Sequence, residues 1–286
     1  MSRRIFQLLL VSVVLSLSVL AFAQKGEGPI DPAPPKGHTP DEIMKIVARK
    51  EADFKKARDN YTFRQDVDIE EMDGGTAVGG YKLVQDVLFD DRGRRTENVV
   101  FAPQNTLRRI QLMKEDEDDF RNIFSFVITP DLLPVYDAKY VGHQQVDELG
   151  TYVFDLKPIH MQKGQRYFEG RIWVDDQDLM VVKSSGIGVP NSKDNQPLPF
   201  TTWREQIDGK YWFPTYTKGQ GNIKAYDHGH VVDETPVKAV VKYTDYKQYK
   251  ATSTVTFGDV VDDPNQNQNQ PKQTPQQAPQ NQAPPK

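Results

Sequence analysis

From Tyr61 onward the apolar residues of this chain recur at every second position, and hairpin-length runs of that alternation continue to Tyr246. A period of two suits a pleated strand with one buried face and cannot be satisfied by a helix, so the alternation commits most of the chain to β-structure. Tyr61, Phe63, Gln65, Val67 and Ile69 fall on one face of the first run, with Thr62, Arg64, Asp66 and Asp68 on the other. After Asp73-Gly74-Gly75 comes a second run, Tyr81, Leu83, Gln85, Val87 and Phe89. Centring the turn on Gly75 pairs 61 with 89, 63 with 87, 65 with 85 and 67 with 83. That register sets Gln65 opposite Gln85, so two amides on an apolar stripe can satisfy one another.

The pattern repeats. Asp90-Asp91-Arg92-Gly93 leads into 95–101, Asp147-Glu148-Leu149-Gly150 joins 138–146 to 151–157, and Asp175-Asp176-Gln177-Asp178 joins 167–174 to 179–185. Asp208-Gly209 is a hairpin signal between 201–207 and 210–216. A final run, 236–246, carries Val237, Ala239, Val241 and Tyr243. Residues 107–124 read as a helix or irregular helical crossing between the third and fourth strands. Pro214 cannot donate to a ladder and belongs at an edge or bulge. About ten strands in hairpin order form an antiparallel meander.

Before the strands the period is 3.6. Thr39-Pro40-Asp41-Glu42 reads as a capped helix start, with Glu42 closing a capping box. Ile43, Ile46, Val47, Phe54 and Ala57 then form a stripe to about Asn60, opposite Lys45, Arg49, Glu51, Lys55 and Arg58. Phe168, Ile172, Val174, Leu179 and Val181 share one face of the 167–185 hairpin, while Trp173, Met180 and Val182 share the other. A sheet with one solvated face would not need both. The expected fold is therefore α+β but mainly β: a strongly curved antiparallel sheet, or incomplete β-barrel, with the N-terminal helix as a lid over its concave face.

The ends read differently. Ser2-Arg3-Arg4, an uncharged apolar run over 5–20 and Ala21-Phe22-Ala23 make a secretory signal peptide at 1–23, cut after Ala23. Twin-arginine and general secretion patterns both fit. An exported chain belongs in the periplasm or outside the cell. Residues 24–38 are a Pro/Gly-rich linker, 39–263 hold the folded domain, and in the tail at 264–286, 18 of 23 residues are Pro, Asn or Gln. That tail buries too little apolar surface to order itself.

Composition narrows the function. The formal net charge is −4, and loss of Arg3 and Arg4 with the signal makes it more negative, which argues against nucleic acid as a partner. Zero cysteines exclude disulfides, thiolate metal sites and a lipid-modified N-terminal Cys. No nucleophile elbow, phosphate-binding loop or zinc-protease helix is present, so the chain reads as a binding protein with no cofactor. His228-Gly229-His230 is a weak metal candidate, since two histidines two apart on a strand point the same way. The surrounding glycines make it a solvent-exposed loop instead. Glu115 to Asp119 read as a solvated helix surface, because adjacent acids cannot converge on one ion. Parity on the concave face nominates Phe63, Val67, Leu83, Val87, Phe154, Ile172 and Val174 as the lining of an apolar trough.

Two segments carry a family resemblance. Gly170-Arg171-Ile172-Trp173-Val174-Asp175-Asp176-Gln177-Asp178-Leu179-Met180-Val181-Val182 resembles the R-I-W-[IV]-D strand and turn of the periplasmic lipoprotein-carrier group. That group is LolA/LolB/RseB-like and includes the "outer membrane lipoprotein-sorting protein" type. Trp203-Arg204-Glu205-Gln206-Ile207-Asp208-Gly209-Lys210-Tyr211-Trp212-Phe213-Pro214 is similar to the following hairpin. The resemblance covers about residues 39–250 and implies an incomplete barrel with helical lid elements around an apolar cavity. It also implies a carrier or chaperone for hydrophobic or acylated ligands such as lipoproteins, with envelope proteins as partners and peripheral contact with a membrane. Alternatives from the residues alone are an envelope sensor or scaffold without lipid cargo, and a secreted hydrolase.

Overall fold

The computed structural model describes residues 26–90, 92–193 and 195–249. The signal peptide and the Pro/Asn/Gln tail lie outside them. Helix α1 spans Pro40–Arg58. The capping box is formed: the Thr39 hydroxyl accepts the Glu42 N–H at 3.3 Å, and the Glu42 carboxylate accepts the Thr39 N–H at 2.8 Å. The strands are β1 (Tyr61–Asp73), β2 (Thr76–Phe89), β3 (Arg95–Phe101), β4 (Tyr136–Val146), β5 (Leu149–Pro158), β6 (Tyr167–Asp175), β7 (Val181–Val189), β8 (Phe200–Ile207), β9 (Tyr211–Asp227) and β10 (His230–Gln248). They form one antiparallel sheet in the order β3-β2-β1-β10-β9-β8-β7-β6-β5-β4, which does not close into a barrel.

The first hairpin has the expected register from 63 to 67, including Gln65 opposite Gln85. The β1–β2 ladder begins at Phe63 and Val87, one step inside the expected 61–89 pair, and on its other edge Tyr61 pairs with Gln248 of β10. Pro214 of β9 faces Arg204 at the point where the β8–β9 register shifts, a bulge that removes the need for its missing N–H. The glycine-rich surroundings of His228 and His230, expected as a loop, are instead the continuation of β9 and β10, which pair from Lys242–Tyr216 out to His230–Asp227 around an exposed turn. Gly219 and Gly221 hid this ladder, because glycine carries no side chain for the alternation to register.

Curvature follows from the core. Side chains of β1, β2, β5, β6 and β10 belong to a single buried cluster. In a flat sheet β1 and β6 would lie roughly 24 Å apart, five strand spacings. Curling and lid elements close that gap. Ile43, Met44 and Val47 of α1 enter the same cluster, and Phe54 meets Phe213 edge-on at 5.1 Å. Glu51 departs from expectation: it is fully buried, not on the solvent face of α1. Both its carboxylate oxygens lie 3.0 Å from Arg204 Nη1 on β8.

The convex face explains why the β6–β7 hairpin is apolar on both sides. Val146, Val153, Trp173 and Val182 form a second small core there. Trp173 Nε1 donates to Gln144 Oε1 at 2.7 Å, and the Lys183 ammonium sits 4.3 Å from the Trp173 ring and pairs with Glu27. The chain around Glu27 and Asp31 runs along β4, with Gly28 N–H to Gln145 O and Asp31 N–H to His143 O both 2.8 Å. It covers the outer edge of β4, and at Gly142 a Cβ would collide with the Asp31 carbonyl.

Candidate functional site

On the concave side, an apolar cavity of about 460 Å³ opens near the ends of β1, β9 and β10. Its floor is Ile69, Ile223 and Val237, and its walls come from three connections.

The first connection is the irregular stretch after β3. The expected helical crossing over 107–124 reduces to a short helix α2, Lys114–Asp118, and a π-turn, Asp119–Ile123. The stretch before α2 is held by a buried carboxylate instead of by helical bonds. Glu71 of β1 accepts the backbone N–H groups of Arg108 at 2.9 Å, Arg109 at 2.6 Å and Ile110 at 2.8 Å. Desolvation pushes the Glu71 carboxyl up, but the three amides outweigh it and hold its pKa below the ordinary value. Thr106 ties the same stretch to β2, its N–H donating to Gly80 O at 2.9 Å. On the outside, Arg109 grips Asp233 of β10 through two nitrogens, Nη2 at 2.7 Å and Nε at 3.2 Å.

The second wall is the π-turn. Phe120 and Phe124 turn into the cavity and stack edge-on at 5.3 Å. The acidic run is not uniformly solvated: Asp119 is buried and clasped by Arg166, and Asp116 caps α2 by accepting the Met113 N–H at 2.7 Å. Burial raises the Asp116 pKa, and the Asp119 carboxylate adds to that rise. Burial likewise raises Asp119, against the pull of Arg166.

The third wall is the β7–β8 connection, docked by a reciprocal pair: Gln196 Nε2 donates to Lys224 O at 2.7 Å and Gln196 Oε1 accepts the Lys224 N–H at 3.0 Å. It carries Leu198 and Asn195 into the cavity lining. Both side-chain polar atoms of Asn195 are buried without a hydrogen-bond partner. A buried amide left unpaired costs about 1–3 kcal/mol, so this group calls for an acceptor or donor from elsewhere.

Six of the seven residues nominated from parity, Phe63, Val67, Val87, Phe154, Ile172 and Val174, are buried in the main core, and Leu83 packs against it. None lines the cavity. Over that part of the sheet α1 and the π-turn already fill the trough, and the open space lies further along β1 and β10. Parity identifies a face but not how far the lid reaches. Ile69 and Val237 belonged to the same stripes; Asn195 and the Ile110–Leu112 wall lie in stretches without periodicity. His228 sits in the β9–β10 turn, exposed and 2.7 Å from Asp227 Oδ1, and His230 begins β10. Among the described residues no group of three or more His, Asp or Glu is placed to hold a metal ion. A wider hollow of about 780 Å³ on the convex face is lined mainly by charged residues, including Lys139, Asp155, Glu169 and Arg171.

Fold and cavity together define an open antiparallel half-barrel, roofed by one helix and an irregular strap. The chain is similar in structure to a LolA superfamily protein from Nitrosomonas europaea, at 14% sequence identity and a TM-score of 0.35, over 75% of this chain and 95% of that one. It is also similar to an outer membrane lipoprotein-sorting protein domain from Vibrio parahaemolyticus, at 12% identity and a TM-score of 0.36, over 76% of this chain and 96% of that one. No protein-family model matches the chain, and no curated protein does.

Proposed function

We propose that this is an exported, non-enzymatic binding protein of the cell envelope that holds one acyl chain of a lipidated or otherwise hydrophobic cargo. The observation that carries the reading is the unpartnered Asn195 amide in the wall of an apolar cavity. The volume of about 460 Å³ falls within the range of small-molecule sites. Each methylene taken from water into it contributes about 0.8 kcal/mol, a carbonyl at the chain's head would accept from Asn195 Nδ2, and an amide N–H or hydroxyl beside it would donate to Asn195 Oδ1. Arg109, Lys193 and Lys224 line the same cavity, so a polar head can remain near solvent.

Titration with a fluorescent fatty acid tests this. Val237→Trp, which fills the floor, should weaken uptake at least tenfold while the far-ultraviolet circular dichroism stays unchanged. Absence of saturable uptake by the unmodified protein would reject the reading.

One observation favours a second reading, an envelope scaffold without lipid cargo: the middle of the trough is filled by the protein's own side chains. Under that reading Val237→Trp changes stability but there is no uptake to lose.

A further inference from the structure

The π-turn that walls the acyl cavity has a second side. There, beneath the C-terminal end of α1, lies a smaller pocket of about 170 Å³. Lys55, Arg58, Arg121 and Arg166 line it, together with the aromatic rings of Phe126, Tyr136 and Phe168, and its lining holds no carboxylate. Two of the four cations are already matched: Arg121 pairs with Glu97 at 2.9 Å and Arg166 with Asp119 at 2.6 Å. Lys55 and Arg58 have no ion pair within 4 Å among the described residues.

Arg58 is the odd group. Its Nε is buried and makes no hydrogen bond. The Arg58 guanidinium has the Phe89 ring 5.7 Å away; Asp59 next to it in the chain opposes its charge without pairing with it, while Arg95 and Arg204 add to it. A guanidinium cannot shed its proton to escape such a place. Arg58 is half-buried, with its Nε out of water and no ion pair within reach, and such a cation gains from an anion that joins it.

We propose that this pocket is a binding site for a phosphoryl group, held by Arg58 and Lys55 with Arg121 at its rim. The guanidinium fork matches two phosphoryl oxygens, the ammonium supplies a point charge, and the aromatic walls keep the field from being screened. The lysine and Asn122 are exposed, so the anion has a path from solvent. The site does not depend on the acyl cavity, since inorganic phosphate has no chain to bury.

The test compares thermal midpoints of the mature protein in chloride, in inorganic phosphate and with lysophosphatidic acid, all at equal ionic strength. Phosphate at about ten times its dissociation constant should raise the midpoint by roughly 3–6 °C above chloride. Arg58→Met should abolish that response and, by removing a half-buried cation that has no ion pair, raise the midpoint in chloride. A merely structural arginine would lower it. Lys55→Gln, at an exposed position, should weaken phosphate binding about tenfold with the chloride midpoint unchanged. A response to inorganic phosphate identifies the free ion as sufficient; an Arg58-dependent response confined to lysophosphatidic acid identifies a lipid headgroup as the source. No response to either, or responses that survive in both variants, would overturn the proposal.

Discussion

Glu71 Oε1 accepts the backbone N–H of Ile110 at 2.8 Å, and through this contact a carboxylate at the end of β1 fixes the strap that roofs the apolar cavity. Glu71 is buried, and its other acceptor contacts go to the two preceding amides of the same strap.

Replacing it by Gln turns an amide nitrogen toward backbone N–H donors. Glu71→Gln should cost about 2 kcal/mol at neutral pH, read from urea unfolding. The pH dependence has a fixed sign. Because the folded pKa is depressed, the carboxylate stabilises the fold above its unfolded pKa and loses that effect as pH falls through the folded value. The gap between parent and variant should therefore close in acid. A gap independent of pH would contradict the clasp.

Asp116 should behave in the opposite sense. Burial and the neighbouring Asp119 raise its folded pKa, so its charged form is penalised in the fold and the penalty disappears as pH falls. Asp116→Asn keeps an oxygen for the Met113 N–H and should raise the thermal midpoint at pH 7. The advantage should vanish in acid.

The buried pair Glu51–Arg204 joins α1 to β8, and Arg204 also donates to the Phe126 carbonyl. Glu51→Leu alone strands the guanidinium and should cost about 3–5 kcal/mol, while Glu51→Leu with Arg204→Met should recover much of it. A double variant as unstable as the single would mean the pair itself, not its desolvation, dominates.

Gln65 and Gln85 should be unequal. Gln85 Nε2 donates to Gln65 Oε1 at 2.9 Å, but Gln65 Oε1 also accepts from Arg95 Nη2 at 2.9 Å. Gln65→Leu leaves two donors unpaired and should cost about 2 kcal/mol, against about 1 for Gln85→Leu, by chemical denaturation. Equal costs would contradict the network.

The sheet was legible because alternation, Asp/Gly turns and the Gln65–Gln85 coincidence all point to one register. The β9–β10 extension was not, since Gly219 and Gly221 break the pattern where the ladder continues. Glu51 and Glu71 carried a readable signal: 51 lies four residues on from Val47 in the buried stripe, and 71 continues the inward parity of 61–69. An acid at an inward position announces a buried partner, though not which one. Arg204 and the Arg108–Ile110 amides come from distant segments, so the pairing exists only in the folded chain. The cavity wall was least legible, because an irregular strap held by a single carboxylate has no period to read.

The space above Ile69, Ile223 and Val237 fits an acyl chain in the proposed reading. Native mass spectrometry of the protein purified from cells that express it, followed by organic extraction of the same sample, shows what occupies that space. A population carrying one acyl-bearing molecule per protein, lost in Val237→Trp, is the expected result. A spectrum of bare protein alone, from material that also takes up no added fatty acid, would contradict it.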